Sequence, residues 1–297
     1  MIATTRLIRE KYSEVAMRHG HNFRSVLSLR FTQGLCALEL LLVLMLLGSA
    51  AHAQATTNIF SARLGESSPK TPEISTEEFR QVLAGKTALV LDVRPHMEFA
   101  VSHIPGAINV AQRSGTSKAL YVSDTAEIAR LTNGDKSKPL VLYCNGPFCG
   151  KSKRLSDELL AAGFTNVRRY QLGIPVWRAL GGLTQIEAEG AKYVMKNDRT
   201  AVWLDTRMQK DFQKSSVPGA KWIGVEVCSG GKDNPAMQKA KNDGTLPVED
   251  HNTRIIVFGD SSQVVNSVAG ALTQEAFHNV AFFAGTYSEL AFVASSL

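Results

Sequence analysis

The sequence predicts an α/β protein of two tandem domains, each with a mainly parallel central sheet flanked by helices. Three features carry that prediction: short apolar runs sized for buried strands, amphipathic helical stretches between them, and a block of sequence written twice. With 297 residues the chain can supply two cores of ordinary size. Its 44% hydrophobic and 20% charged content is that of a folded soluble protein.

Residues 1–53 read as a secretory signal peptide. Arg6, Arg9, Lys11, Arg18, Arg24 and Arg30 precede the apolar run LLVLMLLGSA, and Ala51-His52-Ala53 supplies an A-x-A site that predicts cleavage after Ala53. The length of the basic stretch makes Met17 an alternative start. The apolar core from Leu40 to Leu47 is short for a bilayer span and has Glu39 at its edge. No stable membrane insertion is therefore expected after cleavage, and the mature chain is expected to be periplasmic or secreted. The leader holds six of the 33 Lys+Arg and three of the 27 acids, leaving 27 against 24 and a net charge near +3 rather than +6. The basic balance thus belongs to the targeting segment. No basic patch interleaved with aromatics argues for nucleic acid.

Residues 54–72, rich in small and polar side chains, read as a linker to a first domain over 73–183. There Ser75 and Glu78 form a capping box, and Phe79, Val82 and Leu83 share a helical face. ALVLDV (88–93), PLVLYC (139–144) and NVRRYQL (166–172) are strands by composition. KSKRLSDELLAAG (151–163) is a helix with Leu155, Leu159 and Ala162 on one face and Gly163 as its stop. A second domain is expected over 187–297. Its AVWLDTRMQKDFQKSSVPGAKWI (201–223) lines up without a gap on ALVLDVRPHMEFAVSHIPGAINV (88–110) at an offset of 113 residues. The match pairs Asp92 with Asp205, Arg94 with Arg207, Phe99 with Phe212 and Ser102 with Ser215, and sets one Pro-Gly-Ala on the other. Further on, GFTNV (163–167) matches AFHNV (276–280), and VLYC set against VFGD puts Asp260 opposite Cys144. The second loop therefore carries an acid and two serines where the first carries thiols.

The chemistry concentrates in VLYCNGPFCGKS (141–152). Cys144 ends an apolar strand, and reactive groups of open parallel sheets collect beyond the carboxyl ends of strands. Gly146 and Gly150 let the loop curl so that backbone N–H groups of Asn145, Gly146, Phe148 and Gly150 turn inward around Pro147. The following helix N-terminus and Lys151 add positive charge. Such surroundings lower a thiol pKa from about 8.5, which favours a nucleophilic Cys144 over a merely packed cysteine. Cys149 is a candidate resolving thiol, or a packing residue. Cleavage removes Cys36 and leaves Cys144, Cys149 and Cys228, an odd count and too few for a disulfide scaffold. Cys228 reads as an incidental thiol in a loop. No histidine lies near the pair in sequence, so neither metal nor cofactor is expected. Asp92 and Arg94 are candidates to support the site, although their recurrence as Asp205 and Arg207 fits a fold-holding ion pair. His103, whose counterpart is Ser216, reads first as a surface or packing residue and second as a base; Trp177 reads as core.

The run LDVRPHMEFAVSHIPGAINV, the strand-end Cys144 and GFTNVRRYQLGIPVW together resemble a rhodanese-like domain over about residues 73–183, and residues 187–297 resemble a second, degenerate copy. The resemblance implies tandem rhodanese-like domains with sheets of about five strands, and sulfurtransferase chemistry on Cys144. A thiosulfate-like anionic donor would load a persulfide, and a thiol or cyanide-like acceptor would remove it. The loop departs from the usual form in being longer and in offering Lys151 and Ser152, not arginine, toward the anion. The missing arginine argues against the related phosphatases. Two other functions stay open: a thiol–disulfide redox protein using Cys144 and Cys149, and a non-catalytic sulfur carrier that docks a periplasmic protein through its second domain.

Overall fold

The computed structural model of the chain describes residues 58–67, 69–229 and 234–297. The segment expected to be a signal peptide, with cleavage expected after Ala53, and Cys36 lie outside the described residues.

The first domain opens with α1 (Thr76–Gly85), whose N-cap Ser75 and Glu78 form the expected reciprocal capping box. Then follow β1 (Leu89–Asp92), α2 (His96–Val101), β2 (Ile108–Asn109), α3 (Asp124–Leu131), β3 (Leu140–Tyr143), α4 (Lys151–Ala161), β4 (Val167–Tyr170) and α5 (Gly173–Ala179). The strands are parallel in the order β2-β1-β3-β4, and a parallel bridge from Glu73 to Arg169 extends the sheet beyond β4. Side chains alternate along the strands. Leu91, Leu140, Leu142 and Val167 face Ile128 of α3 and Leu155 and Leu159 of α4. Val90, Val141, Tyr143 and Tyr170 face Phe79 of α1 and Ile174 and Trp177 of α5. Burial on both faces is why these strands read as unbroken apolar runs.

The second domain repeats this plan. It runs β5 (Thr184–Ile186), α6 (Ala188–Asn197), β6 (Val202–Asp205), α7 (Gln209–Lys214), β7 (Lys221–Trp222), α8 (Pro235–Asn242), β8 (Ile255–Phe258), α9 (Ser262–Gln274), β9 (Val280–Phe283) and α10 (Tyr287–Ser295). Its parallel sheet has the order β5-β9-β8-β6-β7. Register corrects one alignment made from sequence. Asp92 pairs with Tyr143, and Asp205 pairs with Phe258, so Tyr143 corresponds to Phe258 and Cys144 to Gly259. Asp260 therefore stands opposite Asn145. Two apolar runs slide past each other by one residue without changing their composition, so only strand pairing fixes the register.

Residues 58–67 and 69–72 differ from a free linker, because they strap the first domain. Arg63 makes a two-pronged ion pair with Glu78, Thr71 is buried against Ser156, and Glu66 reaches Arg169. The two domains meet where α2 crosses α6. A Cβ on Gly190 would lie 2.0 Å from the Ala100 carbonyl oxygen, so the helices approach this closely only because residue 190 is glycine. His103 and Gln185 exchange backbone hydrogen bonds of 3.0 and 2.8 Å across the same seam. Among the described residues no helix is long and apolar enough to cross a membrane.

The aromatic packing and the seam each yield a prediction. Phe79 is fully buried, stacked on Tyr170 at 4.5 Å and edge-on to Trp177 at 5.5 Å. Phe79→Ala should cost about 3–5 kcal/mol in equilibrium urea unfolding. His103 is a buried seam residue. It stacks on Phe99 at 3.9 Å, donates from Nδ1 to the Phe99 carbonyl, and brings Nε2 to 3.4 Å from Glu187. Burial pushes its imidazole below the ordinary 6.5, against the opposing pull of the Phe99 carbonyl, Glu187 and Asp92. The unfolded chain accepts the proton more readily than the folded one. Stability from this residue is thus complete above pH 6.5 and falls as pH drops through the lower folded value. Melting temperature followed against pH should show that acid loss, and His103→Gln should flatten it.

Candidate active site

Cys144 is the first residue after β3 and is 3% exposed. Its carbonyl oxygen has left the sheet ladder and accepts the Ile174 amide at 3.1 Å. Two glycines make this approach possible. Gly146 has φ +99° and Gly173 has φ +66°, and a Cβ on Gly173 would lie 2.4 Å from both the Cys144 oxygen and the Gly146 nitrogen. The turn after β4 therefore presses directly on the cysteine loop. Gly173 sits inside QLGIPVW, yet sequence reasoning assigned it no role. Its signal, an isolated glycine just after a strand, is shared by many ordinary turns.

Within the loop, Cys149 donates its amide to the Gly146 carbonyl at 3.0 Å, and Gly150 starts α4 as its N-cap. Among the described residues, the amides of Asn145, Gly146, Phe148 and Gly150 make no hydrogen bond to protein. Asn145 is exposed and donates to Glu98 at 2.6 Å, which ties the loop to α2. Pro147 is half-buried, and Phe148 is fully exposed at the tip. Cys144 and Cys149 are joined in a disulfide, so this is the oxidised loop, and its Cys144 sulfur is not a free thiolate.

The two residues expected to meet an anion are placed differently from one another. Lys151 opens α4 with its ammonium 3.4 Å from Asp124, whose carboxyl burial pushes up and Lys151 pulls down. The Tyr121 hydroxyl donates to the same carboxylate. Ser152 differs from expectation. Its hydroxyl is buried and donates to Gln171 Oε1 at 3.3 Å, because the second position of α4 faces the sheet.

Asp92 and Arg94 form a buried ion pair at the end of β1. Arg94 gives Asp92 its backbone amide at 2.9 Å and its guanidinium at 2.5–3.1 Å, and also donates to the Ser102 carbonyl at 2.6 Å. Asp205, Arg207 and Ser215 repeat this geometry. The pair thus holds the turn from strand to helix in both copies, one of which has no cysteine at the strand-end loop. Trp177 is a core residue that donates to the Leu183 carbonyl. Cys228 is free and exposed. Among the described residues no three His, Cys, Asp or Glu side chains gather to hold a metal.

The second domain closes its own version of the loop. Asp260 Oδ1 accepts the amide of Tyr287 at 3.0 Å. Tyr287 corresponds to Ile174, so a carboxylate side chain does there what the Cys144 carbonyl does in the first domain. That acid fills the space beside α10 with negative charge, where the first domain offers free amides.

A parallel sheet with a cysteine loop leading into a helix, repeated once without the cysteine, defines a thiol-site domain and a degenerate twin. A sequence model of the rhodanese-like domain matches residues 75–180 and 190–291, and the chain belongs to that family. It is 35% identical over 115 residues to an HTH-type transcriptional regulator of Mycobacterium tuberculosis, covering 38% of this chain and 44% of the relative. It is 29% identical over 106 residues to a tRNA uridine(34) hydroxylase of Photorhabdus laumondii, covering 35% and 28%. The chain thus spans less than half the length of these curated relatives. Among solved structures, thiosulfate sulfurtransferase from Pseudomonas aeruginosa aligns at 20% identity and a TM-score of 0.32, covering 72% of this chain and 43% of that one.

Gly173→Ala should be poorly tolerated on two counts, a side chain at positive φ and a clash with backbone. We expect a loss of about 1–3 kcal/mol in stability. In the reduced protein, iodoacetamide should alkylate Cys144 on the order of 10-fold more slowly.

Proposed function

We propose that this protein is a sulfurtransferase that carries sulfane sulfur as a persulfide on Cys144. The observation that carries this reading is the place of Cys144 in a rhodanese-like domain. It stands at the carboxyl end of a central strand, beneath free loop amides and the N-terminus of α4. Those amides, the helix end and Lys151 are suited to an anionic donor and to the charge of a persulfide. Asp92 and Arg94 support the site by holding the neighbouring strand end, and Ser152 supports it from within.

The cycle starts when a dithiol reductant opens the Cys144–Cys149 disulfide, supplying two electrons and two protons. The Cys144 thiolate then attacks the outer sulfur of a thiosulfate-like donor. A new S–S bond forms, the donor's own S–S bond breaks, and sulfite leaves with the electron pair. An acceptor of the thiol or cyanide class next attacks the terminal sulfur, and Cys144 departs as thiolate. No net oxidation of the protein occurs. The second domain, its loop closed by Asp260, serves in this reading as scaffold or as a surface for a protein partner. Export through residues 1–53 belongs to the same proposal, and protein recovered from the periplasm should begin at Gln54.

The disulfide favours a second reading, in which Cys149 is a resolving thiol. Its thiolate would attack the inner sulfur of the Cys144 persulfide, closing the disulfide and expelling hydrosulfide. One experiment separates the two. Reduced protein mixed with thiosulfate should gain the mass of one sulfur on the Cys144 peptide and turn over with cyanide. Cys144→Ser should abolish both. If Cys149→Ser keeps cyanide turnover, Cys149 is dispensable for transfer; if reduced, sulfur-loaded parent without cyanide releases hydrosulfide and re-forms the disulfide while Cys149→Ser does neither, the resolving role holds. No sulfur on Cys144 under any condition would sink the first reading for this donor.

A further inference from the structure

Arg169 lies in β4 with its side chain 1% exposed, on the sheet face that α4 covers with leucines. Each end of its guanidinium is used. Nε donates to Thr71 at 2.9 Å, Nη1 to Gln171 Oε1 at 2.6 Å, and Nη2 to Glu66 at 2.7 Å. The Arg169 hydrogen bond is the foremost influence holding the Glu66 carboxyl below the usual range, with Lys153 adding to it from 3.3 Å. Gln171 Oε1 also accepts the Ser152 hydroxyl, and Thr71 meets Ser156 at 3.2 Å. A buried polar network thus joins the strap, β4 and the first two turns of α4.

The fold does not require it. At the same places the second domain has Phe282 for Arg169, Ala284 for Gln171, Val265 for Ser152 and Ala269 for Ser156. Phe282, Val265 and Ala269 belong to one apolar core there. Exchanging a buried ion pair for well-packed apolar residues is commonly neutral or stabilising. The same architecture takes the apolar solution where the strand-end loop has no cysteine and the costlier polar one where it has.

What the network touches says what it is for. Gln171 begins the turn whose Gly173 lies against Gly146 and whose Ile174 amide holds the Cys144 carbonyl. Ser152 is the second residue of α4, directly after the cysteine loop. We propose that Arg169, acting through Gln171, is a positioning residue that locks both walls of the Cys144 loop, with Glu66 of the strap as its counter-ion. Resting on the reading of Cys144 as the nucleophile, this adds a control of thiol reactivity that runs through the segment before the domain.

The test uses the full chain carrying Cys149→Ser, so that Cys144 has no loop partner, and labelling is read on the Cys144 peptide because exposed Cys228 also reacts. Iodoacetamide alkylation of Cys144 is followed against pH, beside thermal melts. Arg169→Phe installs the second domain's residue, Gln171→Met removes the shared acceptor at similar volume, and Gln171→Glu keeps it. We expect the first two to slow alkylation on the order of 10-fold and raise its pH midpoint, with the chain still folded at the assay temperature although the melting temperature falls as Glu66 or Ser152 loses its partner. Gln171→Glu should restore the rate to within about twofold, as expected when the retained acceptor is what matters. Parent-like alkylation in both Arg169→Phe and Gln171→Met would overturn the proposal. So would loss of folding in both, which would make the network structural. If these shifts appear while the parent takes no sulfur from thiosulfate, the sulfur-transfer reading fails and the positioning role stands.

Discussion

The Cys144 carbonyl leaves the sheet with no strand partner and takes the Ile174 amide instead. That hydrogen bond forms only because the turn after β4 passes close enough, and Gly173 is what allows the passage. A buried carbonyl without a donor is costly, so the contact binds the fate of the cysteine loop to that of the next strand and helix. From it follow the curl of residues 145–150, the direction in which α4 starts, and the loop amides left without a protein acceptor among the described residues. The chemistry proposed for Cys144 needs all three.

The duplication acts as an internal control on every residue near the site. Asp92 and Arg94 have twins with the same hydrogen bonds, and this marks them as parts of the fold. Gly173, Arg169, Gln171 and Ser152 have as counterparts Thr286, Phe282, Ala284 and Val265, so the shared fold does not require them. Where the cysteine is absent the backbone joint is kept by other means, with Asp260 supplying the acceptor for Tyr287. Sheet pairing and loop closure are thus separable. The first recurs in both domains, and the second has been solved once around a thiol and once around an acid.

The architecture was largely legible in the chain. Unbroken apolar runs gave the strands because each sheet is covered on both faces, and the capping box at Ser75 and the positive-φ Gly163 bounded their helices as their chemistry requires. The loop cysteines announced themselves by position after an apolar run. Less was visible where identity does not report distance. Arg169 looks like a surface arginine in NVRRYQL, and Glu66 and Thr71 look like linker residues some hundred positions away. Ser152 looked available to an anion until the phase of α4 turned it inward.

The sequence by itself determined the two-domain plan, the strand-end cysteine and its lack in the twin. These depend on local composition and on repetition along the chain. Only the tertiary structure decided that Gly259, not Asp260, stands opposite Cys144, that the cysteines are joined, and that a buried arginine meets Gln171, which in turn accepts the Ser152 hydroxyl. Those facts depend on register and on contacts between distant segments, and parallel pairing brings such segments together without leaving a pattern in either one.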